Sequence, residues 1–226
     1  MFPVQCASMP QLVHVARHAL GLAAALLCAA TVRAGMLEVK ALQRDGKPLV
    51  GAVITASAES PALPPAAPVK AIMDQVNLAF EPDVLVLPVK SSVQFPNSDV
   101  VRHQVYSFSS ARQFQLPLYH GKPYPPIVFD QPGVITLGCN IHDNMLAYIV
   151  VTDASFFGRT DAAGSWAAPA VPSGRYRVRV WHPLASEPAD VEQVVQVGAV
   201  KDVVQIRLTR GLKPAPLKGR PHSWEY

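Results

Sequence analysis

Phe129-Asp130-Gln131-Pro132-Gly133-Val134-Ile135-Thr136-Leu137-Gly138-Cys139-Asn140-Ile141-His142-Asp143-Asn144-Met145 carries a Pro-Gly turn, a short apolar run, and then Cys139, His142 and Met145 at three-residue steps. Residues 133–137 read as a strand that delivers Cys139 to a tight loop, and residues 146–151 as the strand that leaves it. Upstream, His103 stands at the end of another expected strand. Thiolate, two imidazoles and a thioether are the donors of blue-copper electron-transfer sites, where two His and one Cys form a trigonal plane and Met is a weak, long axial ligand. A Cys-x2-His-x2-Met loop supplies three of these donors, and His103 is the candidate for the fourth.

The cysteine count sharpens this reading. Of three cysteines, Cys6 and Cys28 lie in the first thirty residues, where Arg17 and His18 precede the apolar run Ala19-Leu20-Gly21-Leu22-Ala23-Ala24-Ala25-Leu26-Leu27-Cys28-Ala29-Ala30. That run is shorter than the roughly 20 residues a spanning helix needs, and Thr31-Val32-Arg33-Ala34 after it has the small-x-small form of a cleavage site. Residues 1–34 are therefore expected to be a signal peptide of an exported, for example periplasmic, protein with no stable membrane insertion once it is removed. A lipoprotein anchored on Cys28 is the weaker alternative, because Leu27 rather than a small residue precedes it. After processing, Cys139 is the one cysteine left in an oxidising compartment, so an internal disulfide is ruled out and the bland reading is a buried inert thiol. His142 and Met145 at ligand spacing weigh against that reading.

The chain is 50% hydrophobic, holds 22 prolines and shows little sustained helical periodicity beyond the leader, which favours an all-β protein. Removing Arg17 and Arg33 takes the formal charge from +4 to +2, 18 basic against 16 acidic residues, too mild for nucleic-acid binding. Residues 35–60 read as a hairpin: strand 36–42, the turn Arg44-Asp45-Gly46-Lys47 and a return strand over 49–56. Ser60-Pro61-Ala62-Leu63-Pro64-Pro65-Ala66-Ala67-Pro68 reads as an extended linker, since Pro lacks the donor a sheet needs. Residues 70–153 hold short strands over 72–80, 84–88, 92–96, 103–108, 133–137 and 146–151, the density of a Greek-key sandwich, interrupted by a Pro-rich surface stretch over 116–126. Residues 154–210 add turns at Thr160-Asp161-Ala162-Ala163-Gly164 and Val171-Pro172-Ser173-Gly174, then strands over 175–181, 191–197 and 202–208. In the first of these, Arg175, Arg177 and Arg179 alternate with Tyr176, Val178 and Val180, as in a half-buried antiparallel strand. Residues 211–226 are expected to be a flexible tail.

Val93-Gln94-Phe95-Pro96-Asn97-Ser98-Asp99-Val100-Val101-Arg102-His103-Gln104-Val105 resembles the first copper-ligand segment of cupredoxins, and 129–145 resembles the second, in the right order. The Cys-x2-His-x2-Met spacing is most similar to amicyanin among plastocyanin-like and amicyanin-like proteins, and the whole chain looks like exported proteins described as methylamine utilisation proteins. The resemblance implies one type 1 copper site with His103, Cys139, His142 and Met145 as ligands, His103 buried and His142 the edge through which electrons pass. It implies partners such as a c-type cytochrome or a dehydrogenase, and no catalytic activity of its own. Where small cupredoxins place Asn after the first ligand His, this chain has Gln104, so Asn140 or Asn97 is expected to brace the loop. The sequence Asp45-Gly46-Lys47-Pro48-Leu49-Val50-Gly51-Ala52, with the later Thr-Asp-x-x-Gly and Val-Pro-x-Gly-x-Tyr segments, resembles the carboxypeptidase regulatory-like domain. That resemblance implies one sandwich split in sequence around the cupredoxin; a loose hairpin and a separate C-terminal domain are the alternative.

Competing functions are constrained by composition. Haem attachment needs Cys-x-x-Cys-His and a multicopper oxidase needs His-x-His pairs, and neither pattern is present. Zinc accepts Cys and His but is poorly served by Met145. Copper delivery or storage uses the same ligands and is the second reading; no Met-rich or His-rich tract favours it. His120 and Tyr119 read as surface-loop residues, and Trp166 and Trp181 as core or rim aromatics.

Overall fold

Alternation of apolar and polar residues dominates this sequence, and the computed structural model is all-β, describing residues 34–142, 144–186 and 191–215. Strands β1 (Ala34–Leu42) and β2 (Val53–Ser60) come first. Ten strands follow: β3 (Lys70–Ile72), β4 (Asp74–Val76), β5 (Ala79–Glu81), β6 (Val84–Pro88), β7 (Ser91–Gln94), β8 (His103–Ser109), β9 (Arg112–Tyr119), β10 (Ile127–Phe129), β11 (Gly133–Gly138) and β12 (Leu146–Thr152). The last five are β13 (Phe156–Arg159), β14 (Ser165–Pro172), β15 (Gly174–Trp181), β16 (Val191–Val197) and β17 (Lys201–Arg207). Among the described residues no helix is long and apolar enough to cross a membrane. The leader expected over 1–34, with Cys6 and Cys28, lies outside the described residues except for Ala34.

Two β-sandwiches result. The first stacks a sheet ordered β14-β1-β17 on one ordered β13-β2-β15-β16. Leu37, Val39 and Ala41 from β1 meet Ile54, Ala56, Tyr176, Val178 and Val180 in one core, so strands from both ends of the chain bury each other's apolar faces. The arginine alternation of β15 holds: Arg177 and Arg179 lie 2.6 and 2.7 Å from Glu192, and Arg175 and Arg177 lie 3.2 and 3.0 Å from Glu59. These pairs are exposed and contribute little beyond solubility and register.

The second sandwich packs a five-stranded sheet, β6-β12-β11-β8-β9, against β10-β7-β3, with β4-β5 alongside. Its core holds Met73, Phe95, Val105, Phe129, Ile135, Leu137, Ala147 and Ile149, together with Cys139 and Met145. The two sandwiches meet through buried Val53, Val84 and Val150 and a Tyr148–Trp181 edge contact at 5.5 Å. Arg159 fastens the seam, donating from Nε to Gly51 O (3.2 Å) and from Nη1 to Val84 O (3.1 Å).

Several expectations are corrected. The first two strands do not form a ladder hairpin: β2 starts at Val53, not residue 49, and joins the sheet facing β1. The ladder stops at the single Leu42–Pro48 bridge because Ala41 N donates to Gly164 O rather than to Leu49 O, and Thr160 takes over residues 49–52, its Oγ1 donating to Leu49 O (2.5 Å) and accepting from Ala52 N (2.9 Å). The expected strand over 72–80 is three short strands, because Asn77 and Leu78 both adopt positive φ, 52° and 59°, and reverse the chain between β4 and β5. The Pro-rich stretch over 116–126 is strand as far as Tyr119, since β9 is a sheet edge where the missing amide of Pro117 costs no ladder bond. Strands β13 and β14 stand beside the 160–164 and 171–174 turns where turns alone were expected. Residues 211–213, expected in a flexible tail, are held: Leu212 bridges Ala185 and Lys213 N donates to Leu184 O (2.7 Å), while 216–226 lie outside the described residues.

Gly164 closes the turn after Asp161 at φ 71°, and a Cβ there would lie 2.6 Å from Ala41 O. Gly121 has a like φ, 72°, with nothing within 4 Å. Gly121→Ala should therefore cost about 1–2 kcal/mol for its backbone alone, whereas Gly164→Ala must also displace β1 and should cost about 2–5 kcal/mol. Urea midpoints at unchanged slope measure both; equal shifts would mean that β1 yields freely.

Candidate metal centre

Strand β8 opens at His103, paired with Tyr119 of the edge strand, and a register shift between His103 and Val105 marks a bulge there. The extra residue lies on β9, between Leu116 and Tyr119, and along β8 the ordinary alternation that buries Val105 and Ser107 also buries the His103 side chain completely. Strand β11 ends at Gly138 and passes directly into Cys139, and the return to β12 is tight: Met145 N donates to His142 O at 3.0 Å. Cys139 and Met145 are buried in one apolar cluster, whereas His142 is partly exposed.

Three donor atoms converge. His103 Nδ1 and His142 Nδ1 are 3.1 Å apart, and Cys139 Sγ is 3.9 Å from each. A point in the plane of these atoms is equidistant from all three at about 2.1 Å, within the roughly 2.0–2.3 Å of first-row metal bonds to imidazole nitrogen and thiolate sulfur. One ion can therefore bind all three without rearrangement, and the soft thiolate with two imidazoles suits copper or zinc. Met145 sits at the end of the same loop, buried in the same apolar cluster as Cys139.

The surroundings fix each donor. Asn140 Nδ2 donates to Gln104 Oε1 at 2.7 Å, strapping the ligand loop to the strand of the first imidazole; of the two asparagines expected to brace the loop, Asn140 does so. Asn97 instead ties down the approach to His103, donating to Val101 O and Tyr119 O and accepting from Asp99 N. Burial, reinforced by His103 and opposed by Asp99, pushes the His142 imidazole below its ordinary value, which favours the neutral form that ligates.

Two residues escaped the sequence reading. Asp99 Oδ2 lies 2.9 Å from His103 Nε2. Burial alone would push its carboxyl up, but hydrogen bonds from the Leu78 amide, the His103 ring and the Val100 amide outweigh it and hold the carboxyl below its ordinary value. The only signal in sequence was its place four residues before His103. Tyr119, expected on a surface loop, is buried, its hydroxyl donating to Phe95 O (2.5 Å) and accepting from Gln75 Nε2 (2.6 Å). His120 beside it is exposed.

No family model matches the chain, and no curated protein matches it. Among solved structures it is similar to a purple cupredoxin from Nitrosopumilus maritimus, at 23% identity and a TM-score of 0.33 over 36% of this chain and 99% of that one. It is similar to a reduced amicyanin variant at 21% identity and a TM-score of 0.34 over 43% of this chain and 99% of that one. A copper-containing nitrite reductase from Thermus scotoductus matches at 27% identity and a TM-score of 0.34 over 50% of this chain, which spans 28% of the reductase. At scores of this size the functional argument rests on the site's own geometry.

Burial pushes the Tyr119 phenol up to about 12. Its folded value is raised above the unfolded one near 10, so its contribution to stability is whole below pH 10 and is lost as pH rises towards about 12. Tyr119→Phe should remove the latest-ionising phenol from an alkaline absorbance titration. It should also lower unfolding free energy by about 1–3 kcal/mol at neutral pH, because Phe95 O is left unpaired. Loss of neither would mean that Tyr119 is solvated.

Proposed function

We propose that this chain is an exported type 1 copper protein that carries single electrons between redox partners. The observation that carries the reading is the convergence of His103 Nδ1, His142 Nδ1 and Cys139 Sγ on one point at metal-bond distance. Copper bound there supplies a one-electron couple between Cu(II) and Cu(I).

Everything else is done by the chain. An electron carrier works fastest when its ligands hardly move between oxidation states, because movement adds to the barrier. His103 is locked in a core strand, Cys139 ends another, and the Asn140–Gln104 hydrogen bond ties the loop between β11 and β12 to β8. His103, Cys139 and His142 would hold the copper, with Met145 as the proposed fourth donor, and a set of two imidazole nitrogens, one thiolate and a thioether would be acceptable to both oxidation states. Of the proposed ligands, His142 alone is not buried, which makes its outer edge the route for electrons. Ile141 beside it is 52% exposed, offering an apolar contact for a partner such as a c-type cytochrome or a dehydrogenase.

The finer assignments are part of the same proposal. The order of the two ligand segments supports a cupredoxin, the methylamine utilisation type rests on the likeness of the whole chain alone, and the shared core of β1, β2 and β15 supports a regulatory-like sandwich, to which we assign docking. No role as an enzyme is proposed, and export rests on the leader motif.

The copper-loaded, oxidised protein should show an intense visible charge-transfer band from the Cys139 thiolate, and Cys139→Ser should abolish it. A colourless loaded protein with ordinary copper(II) resonance would contradict a type 1 site. Met145→Leu should keep copper while shifting the potential, whereas His142→Ala should open the site to external ligands, because an axial thioether binds far more weakly than an equatorial imidazole. If Met145→Leu loses copper as completely as Cys139→Ser, the thioether is not merely axial.

A further inference from the structure

Among the described residues, the Asp99 carboxylate is the charged group that contacts a proposed ligand from behind. Its side chain is 8% exposed and that of His103 fully buried, and Oδ2 lies 2.9 Å from Nε2, the ring nitrogen pointing away from Cys139. The carboxylate is itself held: Leu78 N donates to Oδ2 at 2.7 Å and Val100 N to Oδ1 at 2.8 Å, while Asp99 N donates to Asn97 Oδ1 at 3.0 Å. Leu78, which supplies the first of these amides, takes a positive φ of 59° in the β4–β5 turn, a conformation unfavourable for leucine. Two separate segments thus supply amides to one carboxylate, and its Oδ2 also faces His103 Nε2.

We propose that Asp99 is a positioning residue of the metal centre: it accepts the Nε2 proton of His103, which turns the Nδ1 lone pair towards Cys139 and His142, and its charge makes that imidazole a stronger donor to the more oxidised metal. The inference rests on the copper reading above. A carboxylate behind an imidazole fixes the ring's tautomer and orientation and raises its basicity, and loss of such a partner costs about 10–100-fold in metal affinity. Because Cu(II) carries more charge than Cu(I), the effect falls mainly on the oxidised form, and Asp99 holds the reduction potential down.

Asp99→Asn keeps size and a hydrogen-bond acceptor but removes the charge, so it separates this role from that of a loop brace. In the full-length copper protein the variant should retain the charge-transfer band and bind Cu(II) about tenfold more weakly relative to Cu(I), which for a one-electron couple is a rise of about 59 mV in potential. A blue Asp99→Asn protein with an unchanged potential overturns the proposal even if its melting temperature falls, since that is what a brace alone would give. In the diamagnetic Cu(I) wild type, long-range proton–nitrogen NMR should find His103 protonated at Nε2, a readout that needs no variant to fold. A proton on Nδ1 instead overturns the proposal. A wild type that takes up no copper overturns the copper reading and this inference with it, an outcome distinct from a blue wild type with an indifferent Asp99.

Discussion

Two imidazole nitrogens 3.1 Å apart and a cysteine sulfur 3.9 Å from both crowd three donor atoms into one small space. The protein has to supply the work of bringing them together. It does so with elements that have little freedom: the start of β8, the end of β11, and a turn so short that Met145 N reaches His142 O. The surrounding cluster of Phe95, Leu137, Ala147 and neighbours is buried, so rearranging a donor would open space in a packed core. Rigidity at the site thus follows from ordinary β-sandwich packing, with the Asn140–Gln104 strap added where the loop leaves the core.

The other sandwich solves a different problem. Strand β1 is the middle strand of one sheet, and β2 lies inside the other next to β15, so the segment before strands β3 to β12 completes a core built mostly from the segment after them. A two-stranded unit would be marginal in water, and crossing from β1 to β2 over the core, rather than folding back as a hairpin, lets both bury an apolar face. Strands β3 to β12 are then tethered at both ends, and Arg159 and the Tyr148–Trp181 contact bind the seam between the sandwiches.

What could be read from the residues follows from how local the signal was. Clean alternation exposed β1 and β15, the continuous apolar run exposed β12, and the Cys-x2-His-x2-Met spacing exposed three donors because one short loop holds them all. Signals that depend on tertiary context were lost. Pro117 is harmless only because β9 is an edge strand, and no local pattern announces an edge. Tyr119 looked like a loop residue because its partners, Phe95 and Gln75, are distant in sequence. Asp99 offered no more than its place four residues before His103, and its contact with that ring requires the chain between them to curl back, which Asn97 arranges through Val101 and Tyr119. The return strand expected at residue 49 failed for the same reason: Thr160, more than a hundred residues on, captures the carbonyl of Leu49.

The central claim is that the fold presents two imidazole nitrogens and one thiolate sulfur already placed for a metal that changes charge without moving its ligands. X-ray absorption at the copper edge, on the oxidised and the reduced protein, tests it most directly. The account predicts one short sulfur and two nitrogen scatterers, with nearly the same distances in both oxidation states. A shell of nitrogen and oxygen alone, or a sulfur distance that lengthens sharply or a nitrogen that is lost on reduction, would contradict it.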